Sequence, residues 1–241
     1  MNDSSPPEPP SQPPPGVEPP PPPPGEGGQT FVAPQPRGAY PTRLTVDYPD
    51  RELDKPTTFF RIIWAIPIVA VLAAIGGYFG ESHFGAHWHS GAAGGLLFIP
   101  VAMMIVFREK YPRWWFDFNV ELARFATRVG VYALALTDEY PATDAEQYVH
   151  LEIDYPDVQQ DLNRFMPIIK WLAAIPHYIV LFFLFIGALV AAIYGWFVVL
   201  FTGRYPHDVF DFIVGVMRWH LRVISYAVLL TTDEYPPFSF D

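Results

Sequence analysis

The feature that most constrains this chain is that it contains one design twice. Leu44-Thr45-Val46-Asp47-Tyr48-Pro49-Asp50 returns as Leu151-Glu152-Ile153-Asp154-Tyr155-Pro156-Asp157, at an offset of 107 residues. Ala65-Ile66-Pro67 returns as Ala174-Ile175-Pro176, with Arg61 matching Lys170. Tyr111-Pro112 and the following Phe116-Asp117-Phe118 return as Tyr205-Pro206 and Phe210-Asp211-Phe212, at an offset of 94. Thr137-Asp138-Glu139-Tyr140-Pro141 returns as Thr232-Asp233-Glu234-Tyr235-Pro236. Four landmarks in one order identify a tandem duplication, with copies over 40–145 and 146–241. The drop in offset places about 15 extra residues in the first copy, most simply the Gly-rich stretch Gly80 to Gly95.

Each copy is expected to read as a short strand, an apolar hairpin, a Tyr-Pro turn and an amphipathic helix. Ile62 to Phe79 runs without a formal charge and is long enough to span a bilayer. Leu96 to Phe107 is shorter. Trp171 to Thr202 is also uncharged, and as one helix it would exceed the ~30 Å hydrocarbon core, so two helices turning near Gly187 are expected. The fold class is therefore an all-α membrane protein of two tandem repeats, each with a transmembrane hairpin and an amphipathic helix. Its two short strands, around Leu44–Asp47 and Leu151–Asp154, pair at the cytoplasmic face. Four crossings are expected, and the bilayer is the first partner.

Basic residues set the orientation. Arg51, Lys55, Arg61, Arg108, Lys110, Arg113, Arg164, Lys170 and Arg204 flank the hairpins, while Gly80 to Gly95 contains no Lys or Arg. The positive-inside rule puts both termini in the cytoplasm. Met1 leads directly into polar residues and proline with no basic-then-apolar leader, so insertion is expected to be directed by an internal segment.

Segment 1–39 differs in kind. Fifteen of the 28 prolines lie between Pro6 and Pro36, with an unbroken run from Pro19 to Pro24. Such a stretch cannot bury enough apolar surface to offset its ordering entropy, and a disordered cytoplasmic tail is expected. It reads either as a polyproline ligand for a cytoplasmic protein or as a spacer.

The helices Trp114–Leu136 and 207–230 carry a charged stripe. Asp117, Glu121, Arg124 and Arg128 follow at steps of four, three and four, and Asp211, Arg218 and Arg222 repeat it with Gly215 in place of the glutamate. Spanning would bring these charges into hydrocarbon at roughly 2.5–3.5 kcal/mol each, so an interfacial position is favoured. Ion pairs between the two stripes, Asp117 or Glu121 with Arg218 or Arg222, are a further expectation and a structural role for them.

The repeated Asp-Tyr-Pro, Tyr-Pro and Thr-Asp-Glu-Tyr-Pro elements resemble an actinobacterial membrane family catalogued as domain of unknown function 4389, over roughly Tyr40 to Asp241. The resemblance implies a bacterial inner-membrane setting and supplies no activity, ligand or catalytic residue.

Little chemistry is legible. His83, His87 and His89 beside Glu81 have a spacing that suits Zn or Cu, against the plainer reading of a polar loop present in one copy. The repeated acids Asp47, Asp50, Asp138, Glu139, Asp154, Asp157, Asp233 and Glu234 suit turns beside Tyr-Pro better than a cation site. The absence of cysteine excludes disulfides and thiol chemistry, and the net charge of −10 argues against nucleic acid. No phosphate loop, dinucleotide fingerprint or nucleophile elbow occurs, so neither an enzyme nor a cofactor is expected. The best reading is a scaffold or accessory subunit recruiting a partner through its tail. A small transporter or lipid-handling protein working at the repeat interface, with the stripes lining a path, and a metal-binding sensor are the alternatives.

Overall fold

The computed structural model describes residues 40–49, 51–75, 92–143, 147–159 and 162–241. The proline-rich segment 1–39, the loop bearing His83, His87 and His89, and the first hairpin's turn lie outside the described residues. Strand β1 (Thr42–Val46) is followed by helices α1 (Lys55–Ile75), α2 (Ala92–Arg108) and α3 (Arg113–Ala133). Strand β2 (Val149–Ile153) then leads to α4 (Met166–Ala173), α5 (Ile175–Thr202) and α6 (His207–Ile224).

The described chain is mostly helical with one small antiparallel sheet. β1 and β2 pair in the register Thr42↔Ile153, Leu44↔Leu151 and Val46↔Val149. Alternation decides which face is buried. Leu44, Val46, Val149, Leu151 and Ile153 all turn into the core, leaving Thr45, His150 and Glu152 outside.

Helices α3 and α6 lie under the sheet and run antiparallel to each other. Tyr111, just before α3, donates its hydroxyl to the Leu229 carbonyl beyond the end of α6 at 3.0 Å. Tyr205, just before α6, reaches the Leu134 carbonyl beyond the end of α3 at 3.4 Å. Each helix thus starts beside the other's end. Arg124 and Arg218 tie both helices to the sheet, donating Nε to the carbonyls of Leu151 (2.9 Å) and Leu44 (3.0 Å).

The two helices end differently. α3 closes through Ala135 at φ 64°, and α6 passes through a π-helical turn (Ser225–Leu229) to close at Leu230, φ 58°. Tyr132 and Tyr226 match at an offset of 94, but Ala135 and Leu230 match at 95. One more residue has to be accommodated before the second closure, and a π turn, which takes an extra residue into the helix, does so.

α5 packs antiparallel along α6, from His177 against Trp219 through Gly187 against Phe212 to Gly195 against Tyr205. Gly195 is required there, because a Cβ would lie 2.4–2.9 Å from the Tyr205 ring. α1 packs similarly on α3, through Ile68 with Phe125 and Val129.

The expected turn near Gly187 is not present. α5 is one continuous helix of 28 residues, about 42 Å long, and the helix break falls instead at Ala174, between α4 and α5. The physical reason is local. A single interior glycine costs only ~1 kcal/mol, and no proline follows Pro176 within the segment to break it. Pro176 itself sits in the first turn of α5, where its missing N–H is not needed.

α1, α4 and α5 turn a broad apolar face outward. Ile62, Ile63, Ile66, Ile168, Leu172, Phe182, Phe183, Val190 and Phe201 are all exposed, from 60% to 79%. Only a narrow stripe of α5 (Ala188, Ala192, Gly195 and Val199 among them) is buried. Among the described residues, three helical stretches, Lys55–Ala73, Ile175–Thr202 and His207–Leu229, are long and apolar enough to cross a membrane.

Candidate functional site

Two polar clusters, at matching positions, sit where α1 and α4 begin. In the first, the Arg61 guanidinium is buried and pairs through Nη2 with Asp138, also reaching Thr58 Oγ1 at 3.3 Å. It lies over the Tyr132 ring, 5.1 Å from its centroid. Asp138 also accepts the Asp54 backbone N–H at 2.7 Å, so one carboxylate caps the chain entering α1 and neutralises the buried cation. In the second, Lys170 Nζ stands 2.7 Å from Asp233 Oδ1, donates to the Thr232 carbonyl at 2.6 Å and lies 5.2 Å from the Tyr226 ring centroid. Asp233 accepts the Asn163 N–H at 2.5 Å. Burial pulls the Lys170 ammonium below its ordinary pKa, opposed by its hydrogen bond to Asp233 and by that residue's charge.

These clusters differ in satisfaction. The Lys170 ammonium has two oxygen partners, Asp233 Oδ1 and the Thr232 carbonyl. Arg61 leaves Nε and Nη1 without a hydrogen-bond partner among the described residues. Arg61 also lines a groove of about 370 Å³ between α1 and α5, walled by Ile62, Leu189, Ile193, Trp196 and Phe197 and closed by Leu134. This falls in the size range of small-molecule sites, predominantly apolar with one charged group at its base. Larger hollows beside Tyr111 and Tyr155 and beside Tyr48 and Tyr148 are shallow and open to solvent.

The charged stripe has a different arrangement from the one expected. Glu121 meets Arg124 of its own helix at 2.5 Å, and the stripe forms no ion pair from α3 to α6 among the described residues. Its arginines go to carbonyls instead: Arg124 and Arg218 to the sheet, Arg218 also to Phe240 at 2.6 Å, and Arg128 to Ala142 at 2.9 Å. Arg222 is buried under the Tyr40 ring, 5.8 Å away, with Nε and Nη1 unpartnered. Asp117 and Asp211 are exposed. Because the sheet lies over Arg124 and Arg218, their Nε groups meet strand carbonyls rather than an acid of the other stripe.

Gly215, where the first half has Glu121, makes room for the C-terminal segment. A Cβ there would lie 2.9 Å from Phe240 Cβ. Phe238 and Phe240 pack on Trp219, and Phe238 stacks on His177 with ring centroids 4.1 Å apart. His177 accepts the Trp219 indole N–H at 3.0 Å and is fully buried. Nothing in the sequence pattern pointed to this aromatic strap.

Among the described residues, no group of three or more His, Asp or Glu could hold a metal ion. Asp47 pairs instead with His150 at 3.1 Å, and Asp154 with Arg43 at 2.9 Å. Asp157 accepts the Gln159 N–H at 3.1 Å, turn chemistry as expected beside Tyr-Pro.

Residues 167–239 match the model of a family described as Domain of unknown function (DUF4389). The chain carries a DUF4389 domain. The DUF4389 segment covers α4 from Pro167, all of α5 and α6, the π turn and most of the C-terminal strap. It includes the Lys170–Asp233 cluster and His177, while β1, α1 and Arg61 lie before it. No curated protein and no solved structure was found to match the chain.

The signal for the clusters was present in the sequence. Arg61/Lys170 and Asp138/Asp233 match between the copies, but in the sequence alone the basic residues mark membrane sidedness and the acids suit turns. Only the fold brings positions 77 and 63 residues apart together.

Proposed function

We propose that this chain is a membrane-embedded scaffold or accessory subunit without catalysis of its own. In this reading it is two copies of one unit related by a twofold axis through the Leu44–Leu151 pair, and it recruits a partner through segment 1–39. The axis is supported by contacts that exchange between matched positions: Arg124 to Leu151 with Arg218 to Leu44, and Tyr111 to Leu229 with Tyr205 to Leu134.

The observation that carries the membrane reading is the continuous outward apolar face of α1, α4 and α5, far more than an isolated soluble domain leaves in water. Its placement follows from the layers. The helices run side by side, and the sheet lies along the flank of α3 and α6 with Arg43, Asp47, His150, Glu152 and Asp154 partly or wholly exposed. Upright helices would carry those charges to bilayer depth, at a cost the sheet's few contacts cannot offset. Helices lying along the membrane, with α1 and α5 sunk into the apolar region and the sheet in water, avoid it.

The chain has no cysteine, which makes the test clean. Thr45→Cys on the sheet should react with a membrane-impermeant maleimide in sealed vesicles, and Leu189→Cys on α5 only after detergent is added. A Leu189→Cys that labels freely, or full-length protein that stays monodisperse in the detergent-free supernatant after ultracentrifugation, defeats the membrane reading. Co-purification with and without 1–39 tests recruitment, an identical partner list being the adverse result.

One observation favours a second reading, lipid handling at the interface between the copies. The groove above Arg61 is walled by α1 of the first copy and α5 of the second.

A further inference from the structure

We propose that the corner joining α2 to α3 docks on anionic lipid headgroups, with Arg108, Lys110 and Arg113 against the oxyanions and Phe107 and Trp114 set into the interface between them. This deepens the membrane reading and rests on it.

The charge comes first. Arg108, Lys110 and Arg113 lie close together in the chain, and all three are exposed. None of them forms an ion pair among the described residues. Glu109, the acid between them, is taken by Arg164 at 3.2 Å. Three uncompensated cations on a chain of net charge −10 form a local field of the opposite sign to the whole. The shallow hollow beside Tyr111 and Tyr155, which Lys110 also lines, leaves room for a headgroup at this corner.

The second half supplies an internal control. At an offset of 94, Arg108, Lys110, Arg113 and Trp114 match Thr202, Arg204, His207 and Asp208. Arg204 has Glu52 within 3.7 Å, and His207 stacks on Tyr48 with ring centroids 3.8 Å apart. Asp208 stands in the first turn of α6, where the helix dipole favours an acid. α3 has no acid in its first turn and begins with Arg113, the sign its dipole disfavours. The same fold therefore accepts a neutral corner, and the first half carries its cations at a local cost that an external anion would offset. Arg113 is held in place without being neutralised, its guanidinium 4.6 Å from the centroid of the Tyr155 ring.

The neighbouring rings decide what carries the anion. Phe107 is 66% exposed, Trp114 68% and Phe165 63%. Arg164 donates Nε to the Val106 carbonyl, which brings the start of α4, and Phe165 with it, to the end of α2. A soluble anion would answer the cations and leave these rings in water. The headgroup layer of a bilayer takes both, because aromatic rings and basic side chains are each favoured there.

The test uses the full chain purified in a neutral detergent, with equimolar phosphatidylglycerol and phosphatidylcholine added to the micelles and retained lipid counted by native mass spectrometry. One basic residue near an anionic surface contributes about fivefold in affinity. The native chain should therefore retain phosphatidylglycerol over phosphatidylcholine by at least about tenfold. Changing Arg108, Lys110 and Arg113 together to Gln should bring the ratio close to one, with an unchanged melting temperature. Arg108→Gln with Lys110→Gln, which keeps the Arg113–Tyr155 stack, should lower the ratio by less and serves if the triple variant folds poorly. Arg204→Gln at the matched corner should leave the ratio as it was. Trp114→Gln should reduce retention of both lipids and keep the preference. Equal retention of the two lipids by the native chain overturns the proposal, as does a preference that survives the double and triple changes or falls as far with Arg204→Gln. Displacement of the lipid by an equal concentration of inorganic phosphate or a polyglutamate peptide assigns the corner to a soluble anion and overturns it too. The titration is done in detergent and the membrane reading is tested by fractionation and cysteine labelling, so the two fail separately.

Discussion

Arg61 with Asp138 in the first half and Lys170 with Asp233 in the second occupy matched positions, lie over matched tyrosines and cap matched backbone N–H groups. They differ in one respect. The Lys170 nitrogen has two oxygen partners, and the Arg61 guanidinium leaves Nε and Nη1 without one among the described residues. A similar asymmetry separates the two amphipathic helices: α3 has Glu121 on its surface, and α6 has Gly215 under Phe240. What the pairs teach is that the shared contacts hold the fold and the unshared ones mark where each half can do something of its own. The second half uses its departure to seat a C-terminal strap over His177, and the first has two unpartnered guanidinium nitrogens in a residue that lines the α1–α5 groove.

The largest effect should come from the shared acids. Asp138→Ala and Asp233→Ala each strand a buried cation and uncap a helix entry. Removing one partner of such a pair typically costs about 3–5 kcal/mol. Thermal unfolding in detergent should show both variants strongly destabilised. If one is near neutral, the two clusters are not equivalent structural elements and the comparison fails at its base.

A middle-sized effect should separate the unshared positions. Gly215→Glu gives α6 the residue of α3, but its Cβ meets Phe240, so the strap must shift at about 1–3 kcal/mol. The reverse exchange, Glu121→Gly, loses one partly exposed ion pair and helix propensity, roughly 1 kcal/mol in all. Deleting 237–241 should relieve most of the Gly215→Glu penalty. Tm values for the three variants and the double change would sharpen the comparison; equal costs for the two exchanges would dissolve it.

Much of this was legible in the sequence, and the limits have physical causes. The strand pairing followed from alternation at Leu44–Val46 and Leu151–Ile153, since a one-residue slip would turn one apolar set outward. The amphipathic helices followed from the spacing of Asp117, Glu121, Arg124 and Arg128. The turn near Gly187 was wrong because it rested on bilayer thickness, and a lone interior glycine with no proline beside it does not interrupt a helix. The partners of the stripe were not legible, because helical periodicity gives the face and not what covers it. The groove above Arg61 was invisible for a similar reason. It exists only where α1 meets a helix more than a hundred residues away, and an unpartnered guanidinium nitrogen has no signature in spacing.

The smallest effect belongs to the sheet, where the matched positions are Arg43 and His150. Arg43 reaches Glu152 at 3.3 Å and Asp154 at 2.9 Å, while His150 reaches Asp47 at 3.1 Å. All of these groups are at least a quarter exposed, and exposed pairs contribute about 0.2–1 kcal/mol. Arg43→Ala should therefore lower stability by no more than ~1 kcal/mol, and less at high salt. His150→Ala should do still less, since it removes one exposed contact where Arg43→Ala removes two. Thermal melts at low and high salt read both. A loss of several kcal/mol from Arg43→Ala would mean that the sheet's outer face is desolvated in the working protein. Water would then not be its surroundings, and the placement of the helices along the membrane would have to be turned over.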